Sequence, residues 1–158
     1  MEWSEICRNP HLANLPFKIQ TDRWGNIVMS PACNEHGLYQ ASLATVINRL
    51  ATSGRAITEC SVATSEGVKV ADVAWMSDAF LTRNRGLNPY PEAPEICVEI
   101  LSPSNTHGEM EDKKELYFAR GAVEFWVCDA EGQMFFYKNT GVIAASQLIE
   151  GFPQVVVP

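Results

Sequence analysis

No apolar run in the chain approaches the ~18–20 residues that a membrane-crossing helix needs. The opening Met1-Glu2-Trp3-Ser4-Glu5 is acidic, without the basic stretch and apolar run of a secretory signal. Positive charge is scarce: 12 Lys+Arg against 19 Asp+Glu give a net charge of −7 and a pI near 4.9. That excludes a globally basic nucleic-acid binder, although not a local basic patch. The five cysteines (Cys7, Cys33, Cys60, Cys97, Cys128) are scattered and form no CxxC pair, so neither a zinc knuckle nor a redox dithiol is indicated. Cys97 and Cys128 lie inside apolar runs and read as small core residues. This cysteine usage fits a reducing cytoplasm. HExxH, Walker, GxGxxG and GxSxG patterns are missing, and three dispersed histidines do not suggest a zinc site.

What is present suffices for one domain over residues 1–158: 46% of the chain is apolar and 20% charged, with no repeat, low-complexity tract or linker. Residues 1–16 read as an irregular lead-in or a short helix. Phe17 to Gln20 and Ile27 to Met29 flank a Gly-containing turn and predict a hairpin. Ser30-Pro31 resembles a helix start, with Ser as cap and Pro at the first position. Leu43, Val46, Ile47 and Leu50 recur at helical spacing in a helix from about Asn34 to Thr52, and Gly54 supplies its stop. Strands are predicted at Ala56–Val62, Val68–Trp75 and Ile96–Leu101, with a loop over Arg83–Pro94. Thr106-x-x-Glu109 is a capping box opening a helix that ends near Arg120-Gly121. Val123–Cys128, Met134–Lys138 and Val142–Gln147 complete the strands of an α/β sandwich around a mixed sheet.

Three charged residues interrupt this pattern. Glu99 breaks the apolar run Ile96-Cys97-Val98-Glu99-Ile100-Leu101, the type of run found in strands buried on both faces. An ionised carboxylate there needs a compensating cation, or else it faces solvent at the strand's end. Asp72 falls in phase with Val68, Val70 and Ala74 and so points inward with them. On neighbouring strands, Asp72 and Glu99 could share a divalent cation through oxygen ligands, as Mg²⁺ prefers. Lys113 lies within the apolar helix arc of Met110, Leu116 and Tyr117, whereas Lys114 is placed further round, towards solvent. An inward ammonium beside two carboxylates could orient a water or offset phosphate charge; alone, it would be a lysine snorkelling from the edge of the face. Glu35 and His36 open the long helix, where capping or surface roles are the default.

The same residues carry a resemblance. Gly25-x-x-x-Met29-Ser30-Pro31…His36, Val70-x-Asp72-Val73-Ala74, and Pro94-Glu95-x-x-Val98-Glu99-Ile100-Leu101-Ser102-Pro103-Ser104 resemble the Uma-two family. Lys113-x-x-x-Tyr117 and Gly121-Ala122-Val123-Glu124-Phe125-Trp126-Val127-Cys128-Asp129 extend the likeness to roughly Gly25–Tyr137. This bacterial family has a restriction-endonuclease-like fold and belongs to the PD-(D/E)xK nuclease superfamily. The resemblance implies an α/β fold with a restriction-endonuclease-like core, its mixed β-sheet flanked by helices, and an N-terminal β-hairpin. It also implies metal ligation by Asp72, Glu99 and the backbone carbonyl of Ile100. The superfamily's lysine two residues after the acidic one is absent, since Leu101 stands there, and Lys113 matches the lysine that replaces it from the following helix. Two further departures are Ala71, where the family usually has Pro, and the extra residue in Gly121-Ala122-Val123.

The implied function is Mg²⁺- or Mn²⁺-dependent hydrolysis of phosphodiester bonds, with DNA as the nucleic-acid partner. Asp72, Glu99 and Lys113 would be catalytic, Glu35 an accessory acid, and His36 a phosphate contact or a support behind the metal ligands. The alternative is a non-catalytic module that binds nucleic acid or protein on the same fold, which net acidity favours by disfavouring non-specific DNA affinity. A third reading is an assembly protein whose late strands build a homodimer.

Overall fold

The computed structural model describes residues 2–31, 33–102 and 107–158. A short helix, α1 (Trp3–Arg8), precedes a ribbon of β1 (Phe17–Thr21) and β2 (Ile27–Pro31). Helix α2 (Asn34–Leu50) leads into the long hairpin β3 (Arg55–Thr64) and β4 (Gly67–Met76). After α3 (Asp78–Arg83) come β5 (Ile96–Ile100), α4 (His107–Ala119), β6 (Glu124–Cys128), β7 (Met134–Lys138) and β8 (Gly141–Ile143). The last six strands form one sheet in sequence order, antiparallel except for β5–β6, which run parallel on either side of α4. This is a mixed α/β sheet flanked by helices, with a separate N-terminal hairpin.

Both faces of the sheet are covered. On one, Tyr39, Leu43 and Ile47 of α2 join Val73, Val98 and Trp126 in a core closed by Phe152 and Val156. On the other, Phe80 of α3 and Tyr117 of α4 meet Ala74, Cys97, Phe125 and Val127. Every residue of β5 and β6 is therefore buried, which is why these strands are apolar except at Glu99 and Glu124. Each fully buried side chain, such as Leu43 or Ile47, contributes about 1.5–3 kcal/mol of transfer free energy.

Several boundaries differ from those predicted, each for a local reason. Ser30-Pro31 ends β2 instead of starting α2, because Ser30 and Pro31 pair with Lys18 and Phe17. Pro is tolerated there on a ribbon edge. The helix begins at Asn34, where Cys33 Sγ accepts the His36 amide at 3.4 Å. Leu50 is exposed at the end of α2, since Ala51 already turns extended. Gly54 lies in the turn before β3 instead of stopping the helix, at φ +73° against the Met76 carbonyl. The lead-in contains α1, whose N-terminus is closed by a reciprocal Glu2–Glu5 capping box. Helix α3 was not anticipated; its cap is Ser77, which accepts the Phe80 amide. The strand read over Val142–Gln147 stops at Ile143. Beyond it, the buried Glu124 carboxylate accepts from Ser146 Oγ and from the Gln147 and Leu148 amides, drawing the chain off the sheet. Thr106, and with it the capping box, lies outside the described residues.

Candidate active site

The site forms where β4 outruns its partner. Pairing between β4 and β5 runs from Trp75–Ile96 to Val73–Val98 and stops. One step further stand Asp72 and Glu99, and there Asp72 Oδ2 takes over the ladder by accepting the Ile100 amide at 2.7 Å. The start of β4 pairs with β3 on one edge, and on the edge that β5 leaves open it is satisfied by side chains of β1. The Val68 amide donates to Thr21 Oγ1 at 2.7 Å, and the Val70 amide to Gln20 Oε1 at 3.1 Å. Docking β1 in this way brings Lys18, two residues from Gln20 on the same face, onto Asp72 Oδ1.

Asp72 and Glu99 line one cavity of about 190 Å³, together with Lys18, His36, Ile100 and Lys113. Asp72 is 2% exposed and Glu99 1%. His36 Nε2, from the first turn of α2, lies 3.0 Å from Asp72 Oδ1. From α4, Lys113 Nζ donates to Glu99 Oε2 at 2.8 Å, and Tyr117, one turn on, donates its hydroxyl to Glu99 Oε1 at 2.9 Å. Lys113 is only 7% exposed. Lys114 is half-buried instead of free in solvent: it pairs with Glu111 and lies 5.0 Å from the centroid of the Tyr137 ring. Glu35 does not reach the cavity. Next to His36, it projects about 100° further round the helix and is exposed.

The two carboxyls are shifted in opposite directions. Burial works against ionisation of Asp72, but the Lys18 charge, the His36 bond and the Ile100 amide outweigh it and hold this carboxyl well below its usual range. Burial pushes the Glu99 carboxyl up, Lys113 pulls against it, and the nearby Asp72 charge adds to the rise. His36 is raised chiefly by its bond to Asp72. Burial lowers Lys18, yet the attraction of Glu99 and Asp72 leaves it raised overall. Beside Asp72 the sheet is also distorted. Glu59, between Thr58 and Cys60, which pair with Val73 and Ala71, adopts φ +54° and accepts from Gln40. A non-glycine residue in that region stores about 1–2 kcal/mol of strain.

The donor set suits a hard cation. Among the described residues, no group of three or more His, Cys, Asp or Glu is arranged to hold a metal. The cavity presents two carboxylates, from Asp72 and Glu99, as its oxygen donors, the ligand type that Mg²⁺ takes alongside waters and substrate phosphate. It does not match the closed nitrogen and sulfur shell of structural zinc.

A family model described as "Putative restriction endonuclease", Uma2, matches residues 19–152, a span that includes Asp72, Glu99 and Lys113. The chain belongs to the Uma2 family. Among solved structures, a protein of Anabaena variabilis ATCC 29413 described as a "putative nuclease belonging to DUF820" has the same fold. It aligns at a TM-score of 0.69 over 83% of each chain, with 19% sequence identity. No curated protein matches the chain.

Sequence reasoning missed four residues of this Uma2 site. Lys18 and Gln20 share a strand face, but nothing local says where that face docks. Tyr117 belongs to the apolar arc of α4 and to the Lys113-x-x-x-Tyr117 pattern, but neither assigns its hydroxyl to Glu99. Glu59 carries no signal, because its backbone conformation is a tertiary effect.

Proposed function

We propose that the chain is a nuclease that hydrolyses phosphodiester bonds, in DNA, with Mg²⁺ or Mn²⁺. The observation that carries this reading is the pair of buried carboxylates on neighbouring strands where their pairing ends, opening into one cavity and each matched by its own lysine. Asp72 and Glu99, with the Ile100 carbonyl, would hold the cation. When bound, the cation polarises the phosphate and lowers the pKa of a water. Lys113 orients that water or stabilises charge on the phosphate from the α4 side. Tyr117 fixes the Glu99 carboxylate by occupying one of its oxygens. Lys18 and His36 both engage Asp72 Oδ1, so a cation held by Asp72 would compete with Lys18 for that carboxylate.

The test is a cleavage time course on DNA and RNA with Mg²⁺, Mn²⁺ or chelator, for wild type, Asp72→Asn and Glu99→Gln. Metal-dependent cleavage that falls at least about 10²–10³-fold in each variant is expected. Undiminished cleavage by Asp72→Asn, or none by wild type on any substrate, overturns the reading. The Lys18–Asp72 pair favours one alternative, a non-catalytic interaction module in which lysine fills the cation's place. Calorimetry that detects no Mg²⁺ or Mn²⁺ binding would select it.

A further inference from the structure

The cavity over Asp72 and Glu99 adjoins two larger grooves. On one side it shares Gln20, Glu109 and Lys113 with a groove of about 560 Å³ between the β1–β2 hairpin, the β3–β4 turn and α4. On the other it shares Lys18 and Glu59 with a groove of about 360 Å³ that reaches Trp3 and Asn88. The cavity with the two carboxylates thus lies between the two grooves and shares walls with both.

The character of the first groove discriminates between substrates. Among the described residues, its walls carry Arg23, Lys69 and Lys113 against Glu66, Glu109, Asp112 and Glu115. Two of those cations are already engaged: Arg23 pairs with Glu66 through Nε–Oε2 at 2.5 Å and Nη2–Oε1 at 2.6 Å, and Lys113 with Glu99. A duplex, with about one phosphate charge per 1.7 Å of axis, would meet a wall with no positive surplus. A single strand can bind instead through its bases, because stacking on an aromatic side chain does not depend on phosphate charge.

Beside Arg23 stands Trp24, 78% exposed at the tip of the hairpin. The turn that presents it is fixed. Asp22 Oδ1 accepts the amides of Trp24 and Asn26 at 2.9 and 2.8 Å, and Asp22 Oδ2 accepts Asn26 Nδ2 at 2.8 Å. The Arg23 guanidinium, anchored by Glu66, lies 5.5 Å from the centroid of the indole ring. A large aromatic surface is thus presented to water next to the groove that leads to the carboxylates, a platform that the described residues leave mostly uncovered apart from the Arg23 guanidinium against it.

We propose that the cavity and the first groove take an unpaired nucleic-acid strand, one base of which stacks on Trp24 while the backbone passes over Asp72 and Glu99. This rests on the nuclease reading, but binding tests it separately from cleavage. Fluorescence anisotropy of the full chain is measured with a labelled oligothymidylate and with a duplex of matched length, Ca²⁺ replacing Mg²⁺ to suppress turnover. The single strand is expected to bind at least about tenfold more tightly than the duplex. Trp24→Ala should weaken single-strand binding about 10- to 100-fold, and Trp24→Phe should restore most of it. Since Trp24 is exposed, neither variant should alter the melting temperature. Equal or tighter binding of duplex, unchanged affinity in Trp24→Ala, or no binding of either nucleic acid overturns the proposal, even if metal-dependent cleavage of duplex persists. Single-strand binding with the expected Trp24 dependence but no cleavage in any metal supports the platform and removes the nuclease reading instead.

Discussion

Lys113 and Glu99 form a buried ion pair, and such pairs are far more sensitive to loss of one partner than to loss of both. Lys113→Met retains the stem and most of the volume but leaves Glu99 facing Tyr117 with less opposing charge. Glu99 is already raised above its ordinary 4.5. The stability tied to its protonation is therefore full below that value and lost as pH rises through the folded value. Without Lys113 the folded value climbs further and the loss deepens. Lys113→Met should melt close to wild type near pH ~5 and fall behind by roughly 3–5 kcal/mol above neutrality. In the cleavage assay it should lose about 10²–10³-fold. Melting curves at both pH values check the first claim; a difference independent of pH would show that Glu99 is not what Lys113 compensates, and full cleavage would remove Lys113 from the mechanism. Asp72, Glu99 and Lys113 were legible in the sequence because each is a charge placed in phase with apolar neighbours. Lys18 was not, since it sits on a ribbon with no apolar periodicity to violate.

At the level of elements, the site depends on how the β1–β2 ribbon meets the edge of β4 that β5 leaves open. Gly67 allows that approach: at φ +88°, a Cβ there would lie 2.3 Å from the Asp22 carbonyl oxygen and 2.6 Å from that of Thr21. Both are backbone atoms of the ribbon, so the ribbon must retreat if a side chain is added. Gly67→Ala should thus destabilise by about 2 kcal/mol or more, from left-handed strain plus displacement of the Thr21 and Gln20 bonds to β4. It should also weaken the hold of Lys18 on Asp72. Denaturant midpoints measure the first effect, and a midpoint equal to wild type would show that the ribbon is not braced there. The strands and both long helices could be read from periodicity, and the buried β5 and β6 from composition that is apolar but for one glutamate each. The ribbon's docking position could not, because it is specified by side chains of β1 reaching the amides of a strand some fifty residues away. The same holds for the C-terminal segment, which looked like a strand but is held off the sheet by Glu124.

For the whole molecule, the surplus of seven negative charges and the mixed walls of the groove beside the cavity limit how much of any nucleic-acid affinity can come from phosphate contacts. Each phosphate neutralised on a single strand contributes about −0.7 to the slope of log K against log salt. Lys18 and Lys113 are held in buried pairs by Asp72 and Glu99, so Lys69 in the adjoining groove leaves roughly one contact, hence a slope of about −0.7. Even Lys69 is a weak contact: burial lowers it, the Lys113 charge lowers it further, and its ammonium already donates to the Thr21 carbonyl at 3.0 Å. Oligothymidylate affinity measured between low and physiological salt should therefore weaken only modestly. Lys69→Met should make the slope about 0.7 shallower, whereas Trp24→Ala should weaken affinity at every salt concentration and leave the slope as it was. A wild-type slope steeper than about −4, or a shallower slope in Trp24→Ala, would mean that charge rather than stacking holds the strand. The platform at Trp24 would then have to be abandoned, although the carboxylate pair at Asp72 and Glu99 would stand.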